Sequence, residues 1–375
     1  MKNELSVLII QPWLNYRGAE SVSIALCKDL NGRGVNSKIM CLFISDAVAS
    51  VLDRDQLILP HPFFQGVFRN RIVFMLFGFW CLLFLCMKNG HRFTVFNPHN
   101  FPSVWVGVVC GLIFRKRVVW TVHNFPQHPF RGVLGTLFEF IILPLDFLFA
   151  RKVDTIVSVS HKVSDIVKMK YSKLSFVIYP GIDLDFWFSQ ELKLIPVAYQ
   201  GKRILLHVGQ IRTEKKQDYT LELFRSLAES CPELVLIFAG ERIVNSFPDM
   251  RRIPELLQQR IIFTGRITKE ELHALYSVTE FLIFPSSWGE GCSLVPLEAM
   301  ASGVTHVLVS RGCGVDEILT DSGKGIVFDT DGEIHLVAEL VKKRYQSRSK
   351  EDYMEIIQNF SHSHFTDEYL NIFKR

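Results

Sequence analysis

The sequence predicts an α/β protein made of two Rossmann-like, doubly wound parallel-sheet domains. Three observations point there. The chain has 375 residues, more than one core usually organises, because single cores stop growing at about 250–300 residues. Apolar runs of strand length alternate with helix-period stretches from end to end, and such strands belong to parallel sheets covered on both faces. A turn-forming stretch, Pro180-Gly181-Ile182-Asp183, breaks the alternation near the middle and leads into irregular sequence up to about Lys202.

Strands are expected in the first half at 7–11, 38–44, 93–97, 118–123, 155–160 and 176–179. In the second half they are expected at 204–208, 234–239, 261–264, 281–285, 306–310 and 325–329. The helix after Ile267 carries a capping box, with Thr268 as N-cap and Glu271 three residues on, ahead of Leu272, Leu275 and Tyr276. The expected domains are 1–180 and 203–360, joined by a linker over 181–202. A C-terminal helix in 361–375 is expected to return to the first domain.

Composition narrows the classes further. The chain leans apolar, with 31 Phe and a mean hydropathy of +0.19. No Pro/Ser/Gly tract, charge block or short repeat interrupts it, so neither a disordered tail nor a solenoid is expected. Met1-Lys2-Asn3-Glu4 runs straight into an apolar segment too short for a signal h-region. Eight Cys without a CxxC pair suit reduced, partly buried thiols in the cytoplasm.

The net charge of +4 conceals an asymmetry. No acidic residue lies between Asp55 and Glu139, whereas that stretch holds Arg69, Arg71, Lys88, Arg92, Arg115, Lys116, Arg117 and Arg131. A segment both apolar and basic suits an anionic membrane surface or a pyrophosphate-bearing partner. No nucleic-acid partner is expected. Residues 72–87 are all apolar or Gly, yet a spanning helix needs about 20 such residues. A span here would also split one sheet across the membrane, so a buried or membrane-grazing helix is expected.

The segment richest in chemistry is 281–303, FLIFPSSWGEGCSLVPLEAMASG. A buried strand ends in a small-residue loop, and a helix starts near Ser293. Ligands of open parallel sheets bind at such strand ends, and a helix N-terminus favours a diphosphate. Glu290 in the loop and Glu298 one turn into the helix can each accept hydrogen bonds from sugar hydroxyls.

Glu290-x7-Glu298 followed by Ala-Met-Ala-Ser-Gly resembles the signature of glycosyltransferase family 4 (group 1), retaining enzymes of the GT-B fold. In that fold two Rossmann-like domains face a cleft. Further matches keep the family's order. Gly18-Ala19-Glu20 is similar to its Gly-Gly-Ala/Met-Glu loop, Val122-His123-Asn124 to its His-Asp/Asn strand end, and Val159-Ser160 to its "VS". Val177-Ile178-Tyr179-Pro180-Gly181-Ile182-Asp183 is similar to "V-x-N-G-V-D", and the stretch from His207 to Lys215 to "V-G-R-L-x-x-x-K". Ile262-Phe263-Thr264-Gly265 and the stretch from Gly312 to Glu317 fit as well.

The resemblance implies a nucleotide-sugar donor bound chiefly by the second domain. Carried over, Glu298 binds the ribose, while Glu290 with Gly291, Cys292, Ser293 and Leu294 holds the transferred sugar and phosphate. Lys215 meets the diphosphate, where a fixed cation stabilises the charge that grows on the leaving group. Gly240 and Ile267 flank the base, Gly18 lies in the N-domain phosphate loop, and His123 faces the sugar across the cleft. His99 is a weaker candidate. The family's Arg is Gln210 here, the first Gly of its N-terminal pair is Arg17, and the Pro after "A-x-G" is replaced by Val304-Thr305. Arg212 and Arg17 are candidates to supply the missing charge.

No metal site and no cofactor are expected, the nucleotide-sugar being a substrate. The Asp-x-Asp triplets at Asp53/Asp55, Asp183/Asp185 and Asp329/Asp331 read as structural. No G-x-G-x-x-G follows a strand and no P-loop pattern occurs. The expected activity is transfer of a hexose from a UDP- or GDP-sugar to a polyprenyl-diphosphate-linked saccharide in bacterial surface-glycan synthesis. It would take place at the cytoplasmic face of the cell membrane, with the protein peripheral. Two alternatives stay open: a nucleotide-sugar epimerase or hydrolase on the same fold, and a non-catalytic nucleotide-sugar-binding subunit.

Overall fold

The computed structural model describes residues 4–15, 18–124, 144–189, 199, 201–242, 248–286, 290–332, 334–347 and 351–375. They fall into two compact units, residues 1–181 with 362–375 (unit 1) and residues 182–361 (unit 2).

Unit 1 contains β1 (Ser6–Ile10), β2 (Trp13–Leu14), β3 (Asn36–Met40), β4 (Phe43–Ile44), β5 (Leu57–Ile58), β6 (Val95–Pro98), β7 (Arg117–Val122), β8 (Thr155–Ser158) and β9 (Phe176–Val177). Seven of them form one sheet in the order β5-β3-β1-β6-β7-β8-β9, and neighbouring strands in it run parallel. β1 is buried along its whole length, as a central strand covered on both faces must be. The run expected at 38–44 divides instead. β3 stays in the main sheet, and β4 pairs with β2 in a two-stranded ladder of its own. β5 joins the sheet edge with only two residues, too few for a periodic signal.

Helices cover this sheet. Gly18–Gly32 follows β1, Arg71–Asn89 precedes β6, and Ser103–Phe114 precedes β7. Leu82, Leu85 and Cys86 of the second helix join Val106 and Cys110 of the third and β1, β3 and β6 in one core. The C-terminal helix His362–Phe373 belongs to this unit too. Its Tyr369 hydroxyl lies 3.0 Å from Thr121 Oγ1, and the Arg117 guanidinium donates to the carbonyls of Ile372 and Phe373.

Unit 2 contains β10 (Arg203–Val208), β11 (Leu234–Ala239), β12 (Ile261–Gly265), β13 (Phe281–Phe284), β14 (His306–Ser310) and β15 (Ile326–Phe328). Their order is β12-β11-β10-β13-β14-β15, the 3-2-1-4-5-6 winding of a dinucleotide-binding sheet. Leu205, Leu236, Phe281 and Leu308 meet Leu223, Phe224 and Val341 of the covering helices in its core. Helix Lys269–Ser277 opens with the capping box read from the sequence. Thr268 Oγ1 accepts from Glu271 N at 3.1 Å, and Glu271 Oε2 accepts from Thr268 N at 2.7 Å.

Of the segment expected to link the halves, residues 182–189 are packed into unit 2. Ile182 N donates to Phe360 O at 2.7 Å. Asp183 caps the short helix Leu184–Trp187, and Trp187 is buried against His273 and Tyr276.

Candidate active site

The winding of unit 2 reverses at β10, with β11 and β12 on one side and β13 to β15 on the other. Ligands of such sheets bind beyond the strand carboxyl ends at this reversal. The two segments that leave it carry opposite charges. Lys215 closes a 3-10 turn, Thr213–Lys215, after β10, and Glu290 lies beyond β13. Lys215 Nζ and Glu290 Oε1 form an ion pair, with 21% and 26% of the two side chains exposed. Ser286 Oγ donates to the same carboxylate oxygen at 3.4 Å, and the Lys215 ammonium lies 5.0 Å from the Phe284 ring centroid.

The loop after β10 is braced from beneath. Buried Gln217 donates to Gln210 O at 2.9 Å and accepts from Arg212 N at 3.3 Å. At Gly240, φ is +155°, and a Cβ would fall 2.0 Å from Gly209 O, so this approach of two loops requires glycine. His207 bonds Thr220 Oγ1 at 2.8 Å. Burial, aided by the nearby Lys215 charge, pushes its imidazole down to about 3. It is a neutral core residue.

After Glu290, the residues Gly291, Cys292 and Ser293 lead into helix Leu294–Ala301. Ser293 is the N-cap, and its side chain makes no capping bond, so the first-turn amides are not satisfied by it. Pro296 occupies the third helical position, where a missing N–H costs nothing. Gly314 holds a neighbouring loop against this one: its φ is +80°, and a Cβ would meet Gly291 O at 1.8 Å. Burial holds the Cys292 thiol well above its ordinary range. Glu298, one turn into the helix, keeps some exposed surface yet lies deep among protein atoms. Desolvation pushes its carboxyl up to about 7, partly offset by the charge of Lys269.

In unit 1 the winding reverses between β1 and β6. Helix Gly18–Gly32 starts beside it, with Gly18 exposed. A continuous polar chain lies at the ends of β6 and β7. Asn97 Nδ2 donates to Val119 O at 2.6 Å and to Thr121 Oγ1 at 3.0 Å. Asn97 Oδ1 faces His99 Nε2 at 2.8 Å, and His99 Nδ1 faces His123 Nε2 at 2.7 Å. Burial, followed by the neighbouring imidazole, holds His99 well below its ordinary range, and burial pushes His123 down to about 4. Both rings are neutral near pH 7.

Comparison with known proteins assigns the family. The family described as Glycosyltransferase Family 4 matches residues 16–186, and that described as Glycosyl transferases group 1 matches residues 189–360. The chain belongs to the group 1 glycosyltransferases of family 4. It is 22% identical over 315 residues to the uncharacterized glycosyltransferase MJ1069 of Methanocaldococcus jannaschii, covering 79% of this chain and 78% of that protein. It is 24% identical over 264 residues to the lipopolysaccharide core biosynthesis mannosyltransferase LpcC of Rhizobium leguminosarum bv. viciae, covering 63% of this chain and 72% of LpcC. The structure of Anabaena Alr3699/HepE in complex with UDP and glucose superposes with a TM-score of 0.74 at 16% identity, over 99% of this chain and 100% of HepE. That likeness shows the GT-B fold.

Against this frame the glycosyltransferase brings together Lys215, Glu290 and the Gly291–Ser293 backbone at one strand-order reversal. Gln210 lies beside them, and no side-chain partner is found for it among the described residues. Arg212 turns to Glu214, 3.3 Å away. Gly240 directly follows β11, and Ile267 follows β12. Arg17 lies outside the described residues, as does Arg131. Two of the Asp triplets are engaged by protein groups: Asp183 accepts from Phe186 N at 3.1 Å, Asp329 pairs with Arg311 at 3.2 Å, and Asp331 pairs with Lys216 at 3.2 Å. Sequence reasoning missed Ser286, Gln217, Lys269, Asn97 and Ser23. Gln217 and Asn97 act through buried amides, and Lys269 and Ser23 through partners distant in sequence, Glu298 and His99; neither leaves a periodic trace. Ser286 and Glu290, four residues apart, both lie outside strands and helices.

Proposed function

We propose that this glycosyltransferase is a retaining hexosyltransferase using a UDP- or GDP-sugar. The observation that carries the reading is the Lys215–Glu290 pair beside the uncapped start of helix Leu294–Ala301. In this reading the diphosphate takes the ammonium and the first-turn amides. Glu290, released from Lys215, turns to the sugar hydroxyls, and Glu298 accepts from the ribose. Same-face attack, with the departing phosphate receiving the acceptor proton, needs no covalent nucleophile, and it leaves the site's described carboxylates, Glu290 and Glu298, to the sugar and ribose hydroxyls. HepE, solved with UDP and glucose, and LpcC, a mannosyltransferase, support a nucleotide-sugar donor and a hexose.

The acceptor we propose is a polyprenyl-diphosphate-linked saccharide in bacterial surface-polysaccharide synthesis, reached at the cytoplasmic membrane face. Among the described residues no helix is long and apolar enough to cross a membrane. Helix Arg71–Asn89 nonetheless exposes Leu76, Phe77, Trp80, Phe84 and Met87 in one stripe at helical spacing. It packs against helix Ser103–Phe114, which exposes Leu112 and Ile113 at its end. Both helices lead into neighbouring parallel strands, so their C-terminal ends share one edge of the unit. There Lys88, Arg92 and Arg115 are exposed and Lys116 half-buried. An apolar stripe ending among cations is the chemistry of an anionic interface.

A thermal-shift series with UDP, GDP, UDP-glucose and GDP-mannose tests the donor, because a ligand of the folded state raises the transition by mass action. The expected result is a rise with one nucleotide and its sugar. No rise with any of the four would remove the donor reading.

A further inference from the structure

The polar chain at the ends of β6 and β7 admits one self-consistent set of proton positions. Asn97 sets its direction. Its Nδ2 lies 2.6 Å from Val119 O, and a carbonyl only accepts. Turning the amide over would set two carbonyl oxygens against each other. Asn97 Oδ1 therefore faces His99 and accepts, so His99 Nε2 carries the proton. In a neutral ring the other nitrogen is then a lone pair.

Two groups approach that lone pair at His99 Nδ1, His123 Nε2 at 2.7 Å and Ser23 Oγ at 3.1 Å. Ser23 has another acceptor for its single proton, Ala19 O at 3.1 Å. His123 Nε2 is the closer group, and if it lacked a proton two lone pairs would oppose each other at 2.7 Å. Every bond is satisfied when His123 donates from Nε2. Its Nδ1 is then the free acceptor, and no partner for that atom is found among the described residues.

We propose that His99 is a positioning residue that holds His123 as the Nε2–H tautomer, so that His123 Nδ1 accepts a hydrogen bond from a substrate hydroxyl. The substrate part rests on the glycosyltransferase reading together with the family resemblance, which implies that His123 meets the donor sugar. The tautomer part does not. A protonated or Nδ1–H His123 would have the wrong polarity for a hydroxyl that must be oriented as donor. Because His99 is fully buried, solvent cannot substitute for it.

The test is nitrogen NMR of selectively 15N-histidine-labelled protein, with signals assigned from His99→Leu and His123→Ala variants and folding checked by circular dichroism. In the wild type His123 should read as Nε2–H and show no titration between pH 6 and 8. In His99→Leu both His123 tautomers should appear. In His99→Asn, whose amide oxygen can replace Nδ1 as acceptor, the Nε2–H form should dominate again, which a purely space-filling role for His99 would not give. If His99→Leu does not fold, the wild-type and Asn spectra still decide. A wild-type His123 protonated at Nδ1, or an unchanged tautomer in folded His99→Leu, overturns the proposal. No substrate is needed for these outcomes. The reading that His123 meets substrate fails separately, if His123→Ala leaves transfer unchanged.

Discussion

Lys215 and Glu290 stand 75 residues apart in the chain and form an ion pair where the strand order of unit 2 reverses. Each neutralises the other, so a diphosphate that claims the lysine frees the carboxylate for sugar hydroxyls. Lys215→Ala should lower kcat by about 10²-fold, the scale for losing one preorganised electrostatic contact to the leaving group. Glu290→Ala should depress kcat more than it raises the donor KM. Because the two side chains share a contact, the double variant should lose less than the sum of the single losses. Strict additivity in a double-mutant cycle would show that the two side chains act independently in turnover.

If Glu298 accepts from the donor ribose as proposed, donor binding should be pH-dependent. Burial raises its carboxyl from 4.5 to about 7, so the folded protein holds this proton more tightly than the unfolded chain does. Ionisation therefore costs the fold nothing below about pH 4.5, increasingly more between there and about 7, and its full amount above. Ribose hydroxyls need the ionised form, with both oxygens accepting. The donor KM should rise as pH falls through about 7, and Glu298→Gln should flatten that profile while weakening binding throughout. Lys269→Met, which removes the opposing charge, should move the inflection upward. Kinetics between pH 5.5 and 8.5 decide it.

Transfer should survive EDTA. In the proposed donor mode Lys215 and the first-turn amides of helix Leu294–Ala301 carry the diphosphate charge without a cation bridge. Loss of transfer on chelation, restored by Mn²⁺, would return the Asp triplets to consideration.

Binding to anionic vesicles should depend on two separable features. Trp80→Glu and Phe84→Glu, at residues 63% and 68% exposed, should cut retention at every salt concentration. Arg115→Glu with Lys116→Glu should matter at low salt and little near 1 M, where the screening length falls to about 3 Å. Arg117 is a different case. Its guanidinium holds the carbonyls of Ile372 and Phe373, so Arg117→Glu should lower Tm. Sedimentation with neutral and anionic vesicles, alongside thermal melts, separates these effects. Equal, salt-insensitive binding to both vesicle types would remove the electrostatic part.

Where the family's pattern has an Arg, Gln210 supplies no charge, and Arg212 is the described cation nearest in sequence that could replace it. Its pairing with Glu214 at 3.3 Å joins two half-exposed side chains, a contact worth about 0–1 kcal/mol that a diphosphate can displace. Arg212→Ala should cost about 1.5–3 kcal/mol in kcat/KM, the scale of a charge-assisted hydrogen bond, and Gln210→Arg in that background should recover part of it. Unchanged kinetics for Arg212→Ala would leave the diphosphate to Lys215 and the helix. Arg17→Ala, measured in parallel, asks the same of the first-domain loop.

Local features were legible in the residues themselves. Continuous apolar runs such as Leu234–Ala239 and His306–Ser310 mark buried parallel strands because both faces of each are covered. Thr268 and Glu271 announce their helix because a capping box needs only three residues of separation. The two-residue strand Leu57–Ile58 was not legible, and the split between Asn36–Met40 and Phe43–Ile44 was hidden inside one apolar run. The Glu290-x7-Glu298 spacing named the loop and helix that carry the candidate site, but not the partners of those side chains.

By itself, then, the sequence determined the alternation of strands and helices, the two-unit α/β class and the family. It did so because periodicity, capping and short motifs are written in neighbouring residues. Only the tertiary structure decided that Lys215 pairs with Glu290, that Asn97, His99 and His123 form one hydrogen-bonded chain, that Arg117 serves the C-terminal helix and that Ile182–Trp187 packs into unit 2. The first two depend on which strands become neighbours in the sheet, and the last two on where the C-terminal segments return. The neighbours are chosen by right-handed crossovers and by burial of whole apolar faces, and no local pattern records that choice.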